Sequence, residues 1–145
     1  MKFPGSTKKK SRKKKAEPQI NGHSYDERDS NLRKMQFKCY RDYLNSNLWG
    51  RIRNKVFQRK GHRCSLCSGH AEELHHNRYS LEDLQGKDIS HIHPVCSLCH
   101  YMVEHTASGT KRDLIGAKDE FNHRRKLRVG KIKFDARRDV VRRMC

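Results

Sequence analysis

The chain is short of acid, of aromatics and of apolar sequence. Its 16 Asp and Glu stand against 34 Lys and Arg, a formal net charge of +18. An excess of this size predicts a polyanionic partner, most simply nucleic acid, bound with steep salt dependence through counterion release. An anionic membrane surface is the runner-up partner. No apolar run approaches the ~18 residues of a membrane span, and the N-terminus lacks the apolar core of a secretion signal. These absences point to a cytoplasmic protein, or a nuclear one in a nucleated cell, and not to a secreted or membrane-spanning one. Only 33% of the 145 residues are hydrophobic. One modest domain with tails is expected, of the size that needs a staple such as a metal. In a reducing compartment, paired cysteines read as a metal site rather than a disulfide framework.

What is present is concentrated. Seven of the ten histidines and four of the six cysteines fall between Cys64 and His105. Two C-S-L-C pairs, Cys64/Cys67 and Cys96/Cys99, bracket this block. Two residues between thiolates let one tight turn aim both sulfurs at one ion, and two such turns complete a tetrahedral structural zinc site with no open position. A redox pair of the thioredoxin kind is the competing reading, and the doubled identical sequence argues against it. Cys39 and Cys145 read as free thiols.

Around the block, residues 1–28 read as a disordered basic arm. Its centre, Lys8, Lys9, Lys10, Arg12, Lys13, Lys14 and Lys15, repels itself and buries nothing. The arm can track phosphates, serve as an import signal, or act as a solvated tail. Residues 29–62 form a helical lead-in. Asp29 or Ser30 can cap a helix carrying Leu32, Met35, Phe37, Tyr40 and Leu44. Ser46 can cap a second with Leu48, Ile52 and Val56, ended by Gly61. Trp49 lies on that apolar stripe and reads as core. Arg51, Arg53, Lys55 and Arg59 take the other face, as phosphate contacts or solvated charge. After the block, residues 107–145 form a basic helical extension. Thr110 can cap a helix of Leu114, Ala117 and Phe121, and Arg124 and Arg125 open a basic run. Gly130 separates this from a short final helix with Val140 and Val141 and the nearby Arg137, Arg138, Arg142 and Arg143.

Within residues 63–106, Glu73-Leu74-His75-His76 reads as a short strand leaving the first knuckle. Strand alternation points the two histidines apart, so one can ligate a second metal while its neighbour faces water. The run from His91 to Cys96 is extended before Pro94. It then enters a helix from about Ser97 to His105 that carries His100.

The run C-x-x-C, L-H-H, P-V-C-x-x-C-H, with the lead-in Trp49-Gly-Arg-Ile-Arg and Gly61-His-Arg-Cys64, resembles the HNH endonucleases in their zinc-stapled form. The resemblance covers roughly residues 47–105. It implies an α+β fold with a ββα-metal core, and metal-dependent hydrolysis of DNA phosphodiesters. His76 matches the general base, and His75 and His100 match ligands of the catalytic metal. The central Asn of the family falls at His91, so this chain reads H-H-H; the family's Asn braces the loop and helps orient the base. For the third ligand, Glu104 sits one helical turn after His100, and His105 offers an imidazole one residue later. Helical rotation favours the first and zinc-like ligand chemistry the second, while a carboxylate would suit Mg2+ or Mn2+; Zn2+ and Ni2+ are alternatives at this catalytic site. Arg78, Tyr79 and Lys87 lie on the connecting loop, where they can hold phosphate or simply face solvent. His62, His70 and His93 read as surface or structural. One such site nicks one strand, so a double-strand break would need a homodimer or two sequential cuts. The opposing readings are a non-catalytic zinc-ribbon binder of DNA or RNA, and a ribosome-associated basic zinc protein.

Overall fold

The structure, a computed structural model, describes the backbone of residues 25–144 and the side chains of residues 25–129 and 131. The basic arm at Lys8 to Lys15 and the thiol of Cys145 lie outside the described residues, as do the side chains of Arg137, Arg138, Arg142 and Arg143. The elements run α1 (Asp26–Lys34), α2 (Tyr40–Leu44), α3 (Asn47–Lys60), β1 (Glu73–His76), α4 (Leu81–Leu84), β2 (Ile92–Val95), α5 (Ser97–Glu104) and α6 (Leu114–Met144). This is a small α+β arrangement with a two-stranded antiparallel sheet.

Helix α3 forms as its sequence dictates. Ser46 accepts a hydrogen bond from the Trp49 N–H at 3.2 Å, which satisfies a donor that the first turn leaves free. Trp49, Ile52, Val56 and Phe57 then fall on one buried face. Each such aliphatic side chain contributes about 1.5–3 kcal/mol by leaving water. Gly61 stops the helix at φ +75°, a left-handed backbone that glycine adopts without a Cβ penalty.

Strands β1 and β2 pair Glu73 with Val95, Leu74 with Pro94, His75 with His93 and His76 with Ile92. Every residue of β2 is buried. Pro94 has no N–H to give, which a two-stranded sheet tolerates because each strand is an edge. Its carbonyl accepts instead from Ser65 N at 2.9 Å, tying the first knuckle to the sheet. The core gathers Leu32, Tyr43, Val56, Leu84, Ile92, Val95, Val103 and Phe121 from seven elements.

The lead-in differs from the sequence reading at three points. Helix α1 starts at Asp26, not at Ser30, and residues 26–28 are helical rather than part of an irregular arm. Its first turn holds Asp26, Glu27 and Asp29, carboxylates that suit the positive end of the helix dipole, so Asp29 lies inside the helix instead of capping it. The apolar series from Leu32 to Leu44 also does not share one helix. Gln36 takes φ +67°, the chain turns, and α2 begins at Tyr40; Leu32 and Tyr43 still meet in the core.

The extension differs as well. Thr110 is not the cap of α6; its amide is bonded to Thr106 Oγ1 in the preceding loop. Asp113 does the capping, accepting from Gly116 N at 2.7 Å. Helix α6 runs without a break through Gly130 to Met144. One glycine costs a helix about 1 kcal/mol, too little to split one of 31 residues.

Candidate metal centres

Among the described residues, three groups of ligand-bearing side chains are close enough to hold a metal ion, and the first two draw residues from α5. In the first, the Sγ atoms of Cys64, Cys67, Cys96 and Cys99 all lie within 4.8 Å of one another. A tetrahedral ion with metal–sulfur bonds of ~2.3 Å holds sulfurs ~3.8 Å apart, and Cys67 Sγ and Cys96 Sγ are 3.7 Å apart. The turns are built to present sulfur. Leu66 N points at Cys64 Sγ, Gly69 N at Cys67 Sγ and Cys99 N at Cys96 Sγ, each at 3.4 Å. Ser68 takes φ +68° to close the first turn. Arg128 of α6 donates to the Ser65 carbonyl at 2.9 Å, so the extension grips this knuckle from outside. The four thiols are placed to hold one metal ion.

The second group comprises His75, His100 and Glu104, whose ligand atoms also fall within 4.8 Å of one another. His75 Nδ1 is 3.4 Å from Glu104 Oε1, and His100 Nε2 is 3.7 Å from the same oxygen. Both imidazoles are oriented from behind. His75 Nε2 pairs with Asn77 Oδ1 at 3.0 Å, and His100 Nδ1 with Glu73 Oε2 at 2.6 Å. The other nitrogen of each ring, His75 Nδ1 and His100 Nε2, faces Glu104. His75 Nδ1 is buried and has no hydrogen-bond partner. The His75 ring is clamped by stacking on Phe121 at 5.0 Å. Burial pushes the Glu104 carboxyl up, but His75, His100 and Lys111 together hold it below the usual carboxylate range.

His76 projects from the other face of β1. Its ring stacks on Tyr79 at 4.9 Å and tilts against Trp49 at 5.2 Å. It is only 2% exposed, yet it lines an open cavity of about 520 Å3 together with His100 and Glu104. Its Nε2 has no hydrogen-bond partner. Burial, then the neighbouring His75, lowers its pKa to about 3. The ring is therefore neutral at any physiological pH. Arg28, Arg53 and Lys111 also line this cavity.

His91 is not in the His75 group; with Asp83 and Asp88 it forms the third, whose ligand atoms also fall within 4.8 Å of one another. Its Nδ1 lies 3.3 Å from Asp83 Oδ1 and 3.6 Å from Asp88 Oδ2, while its carbonyl accepts from Asn77 N at 2.9 Å. His105 ends α5 and stacks on Tyr101 at 4.2 Å, so the helical turn brings Glu104, not His105, to the histidines. Arg78 is committed to Asp83 and Asp88. Arg53 donates to the Glu72 carbonyl at 2.6 Å, Arg51 and Arg125 are exposed, and Arg124 pairs with Glu120. Tyr79 is buried against His76 rather than free on its loop. His62 and His70 stack on each other at the surface, and buried His93 stacks on Phe121.

Sequence reasoning missed Glu73, Asn77, Asp83 and Arg28. Glu73 had a usable signal: two residues before His75, it shares that side of the strand. Asn77 and Asp83 had none, because their roles depend on where the loop returns. Among the described residues no helix is long and apolar enough to cross a membrane. No protein-family model, curated protein or solved structure matches the chain.

Proposed function

We propose that this chain is an HNH-type endonuclease that hydrolyses DNA phosphodiester bonds, with zinc in the four-thiolate site and a catalytic divalent metal at His75, His100 and Glu104. One observation carries the reading. Two imidazole nitrogens and a carboxylate oxygen converge within 4.8 Å, and two of their three residues, His100 and Glu104, share an open cavity with His76 and three cations. His75 Nδ1 makes no hydrogen bond of good geometry, and its nearest partner is the Glu104 carboxylate at 3.4 Å; a divalent metal held between them would satisfy both. Two nitrogens and one oxygen suit Mn2+, Zn2+ or Ni2+, and the carboxylate also admits Mg2+.

When bound, the metal supplies charge that polarises the phosphoryl group and stabilises the leaving oxygen. The chain supplies the rest. Glu73 and Asn77 fix the two ligand rings in the tautomers that face the site. Trp49 and Tyr79 hold the plane of His76. His76 takes a proton from the attacking water as its oxygen bonds to phosphorus and the bond to the leaving sugar oxygen breaks; solvent protonates that oxygen. A ring with a pKa of about 3 is a weak proton acceptor, and an incoming phosphodiester strengthens it by placing negative charge alongside. His91, in the position of the family's central Asn, acts here as a brace. Its carbonyl and its contact with Asp83 hold the loop that follows His76. The net charge of +18 suits a DNA partner.

The test is supercoiled plasmid incubated with Mg2+ or Mn2+. Wild type is expected to nick it, and His76→Ala and His100→Ala to lose about 100-fold or more in rate while still binding DNA. Binding without cleavage across metals and DNA substrates would reject the enzyme and favour a non-catalytic zinc-ribbon binder.

A further inference from the structure

The cavity beside His76 has a second wall, contributed by α1 and α2 and therefore by residues outside the stretch that resembles nucleases. Arg28 stands there between two aromatic faces. Its guanidinium carbon is 4.3 Å from the Tyr25 ring centre and 4.4 Å from that of Tyr40, with Tyr79 further off at 5.8 Å. All four side chains line the cavity that His76, His100 and Glu104 also line. Tyr25 and Tyr40 each feel the charges of both Arg28 and Glu104.

Two other cations line the same cavity, each against one ring where Arg28 has two. Arg53 stacks on Phe57 at 5.0 Å and gives an N–H to the Glu72 carbonyl, and Lys111 is exposed, its ammonium 5.3 Å from the Tyr25 ring. A guanidinium carries five N–H donors in a planar fork. Asp29 takes the Nε–H of Arg28 at 2.8 Å, which fixes the rotation of the fork. Clamping by two rings removes side-chain freedom before any ligand arrives, so little entropy is left to lose on contact. A fixed planar cation in the same cavity as His100 and Glu104 is matched to a phosphate oxygen.

We infer that Arg28, locked between Tyr25 and Tyr40, grips a non-bridging oxygen of the scissile phosphate in the cavity that His76, His100 and Glu104 also line. The inference rests on the nuclease reading and names a catalytic residue for it. It also gives α1 and α2 a job: they carry the phosphate-binding group that the two strands and α5 lack. A preorganised cation aimed at developing charge accelerates the step itself more than it tightens ground-state binding.

The experiment compares wild type, Arg28→Ala and Arg28→Lys, all as full chains with saturating Mn2+, on supercoiled plasmid and on bis(p-nitrophenyl) phosphate. The small diester reports the cavity without the wider DNA contacts. Arg28→Ala is expected to lower kcat about 100-fold on both substrates, with KM and Mn2+ affinity changed by less than about threefold. Arg28→Lys is expected to recover part of the loss, and added guanidinium salt at non-denaturing concentration to rescue Arg28→Ala. Rescue by the free cation distinguishes missing chemistry from a damaged fold, and thermal melts of each variant check the fold directly. Wild-type kcat in Arg28→Ala, or a loss that neither lysine nor guanidinium relieves in a folded protein, would overturn the assignment while leaving the nuclease intact. No hydrolysis by wild type on either substrate would overturn both.

Discussion

At the scale of single residues, two buried histidines tie stability to pH. Burial, with Lys60 and Arg125 nearby, lowers the pKa of His93 to about 3, and His76 is lowered to about 3 as well. Unfolded histidine titrates near ~6.5. Between about pH 6.5 and pH 3 the unfolded chain binds protons that the folded chain refuses, so stability falls as the solution is acidified. The contribution is complete above pH 6.5 and shrinks by about 1.4 kcal/mol per pH unit for each histidine below it. Urea unfolding followed from pH 7 to pH 5 is expected to show this slope, and His93→Phe to reduce it by about one histidine's share. An unchanged slope in that variant would place the acid sensitivity elsewhere. His75, His76 and His100 are singled out by the resemblance to the nucleases, and two of them, His75 and His100, do meet at Glu104. Sequence leaves Glu104 and His105 open, because rotation favours the first and zinc-like ligand chemistry the second; Glu104 is the one that joins the histidines. What is not legible is the set of partners that orient the rings, since Asn77 and Glu73 act through tertiary geometry.

At the scale of elements, the short helix α4 is held by a close approach to α3. Ser80 and Asp83 form a reciprocal cap at its start. Gly86, just past its end, takes φ +70°, and a Cβ there would stand 2.5 Å from Ile52 Cγ1. Lys55 Nζ reaches the Gly86 carbonyl at 2.6 Å. Gly86→Ala combines a left-handed backbone with overpacking of a buried isoleucine, and is expected to destabilise by about 2–4 kcal/mol. Chemical denaturation is the measurement, and a change below about 0.5 kcal/mol would mean that the two helices separate freely. The elements themselves are unevenly legible. Helix α3 announces its cap, stripe and stop within one local stretch. The break between α1 and α2 does not, because the apolar spacing from Leu32 to Leu44 stays compatible with one helix, and only the shared core shows that the chain turns at Gln36. The start of α6 is misplaced by sequence for a related reason: Thr110 and Asp113 are both good caps, and the loop from Thr106 claims the first.

At the scale of the molecule, the two clusters are coupled through α5. Its first turn carries Cys96 and Cys99, and its next residues carry His100 and Glu104. Strand β1 brings His75 to the same helix, and the Ser65–Pro94 bond joins the first knuckle to β2. The position of the proposed catalytic ligands therefore depends on the four-sulfur site, although no atom is shared between them. The core is small, and Cys64 and Cys99 are among its buried members. A zinc ion bound by four thiolates contributes on the order of 10 kcal/mol to folding in small domains, comparable to the whole stability of a domain this size. Removing zinc with a strong chelator at neutral pH is thus expected to abolish the cooperative thermal transition, not merely to lower its midpoint. Adding back one equivalent of zinc per chain should restore it. Magnesium should not, because it prefers oxygen ligands and near-octahedral geometry. The readout is far-UV circular dichroism on heating, with zinc released on chelation counted by a colorimetric indicator. If the stripped chain melts as sharply and as high as the loaded one, the sulfur cluster is not the staple, and the histidines and Glu104 must be held together by the apolar core alone.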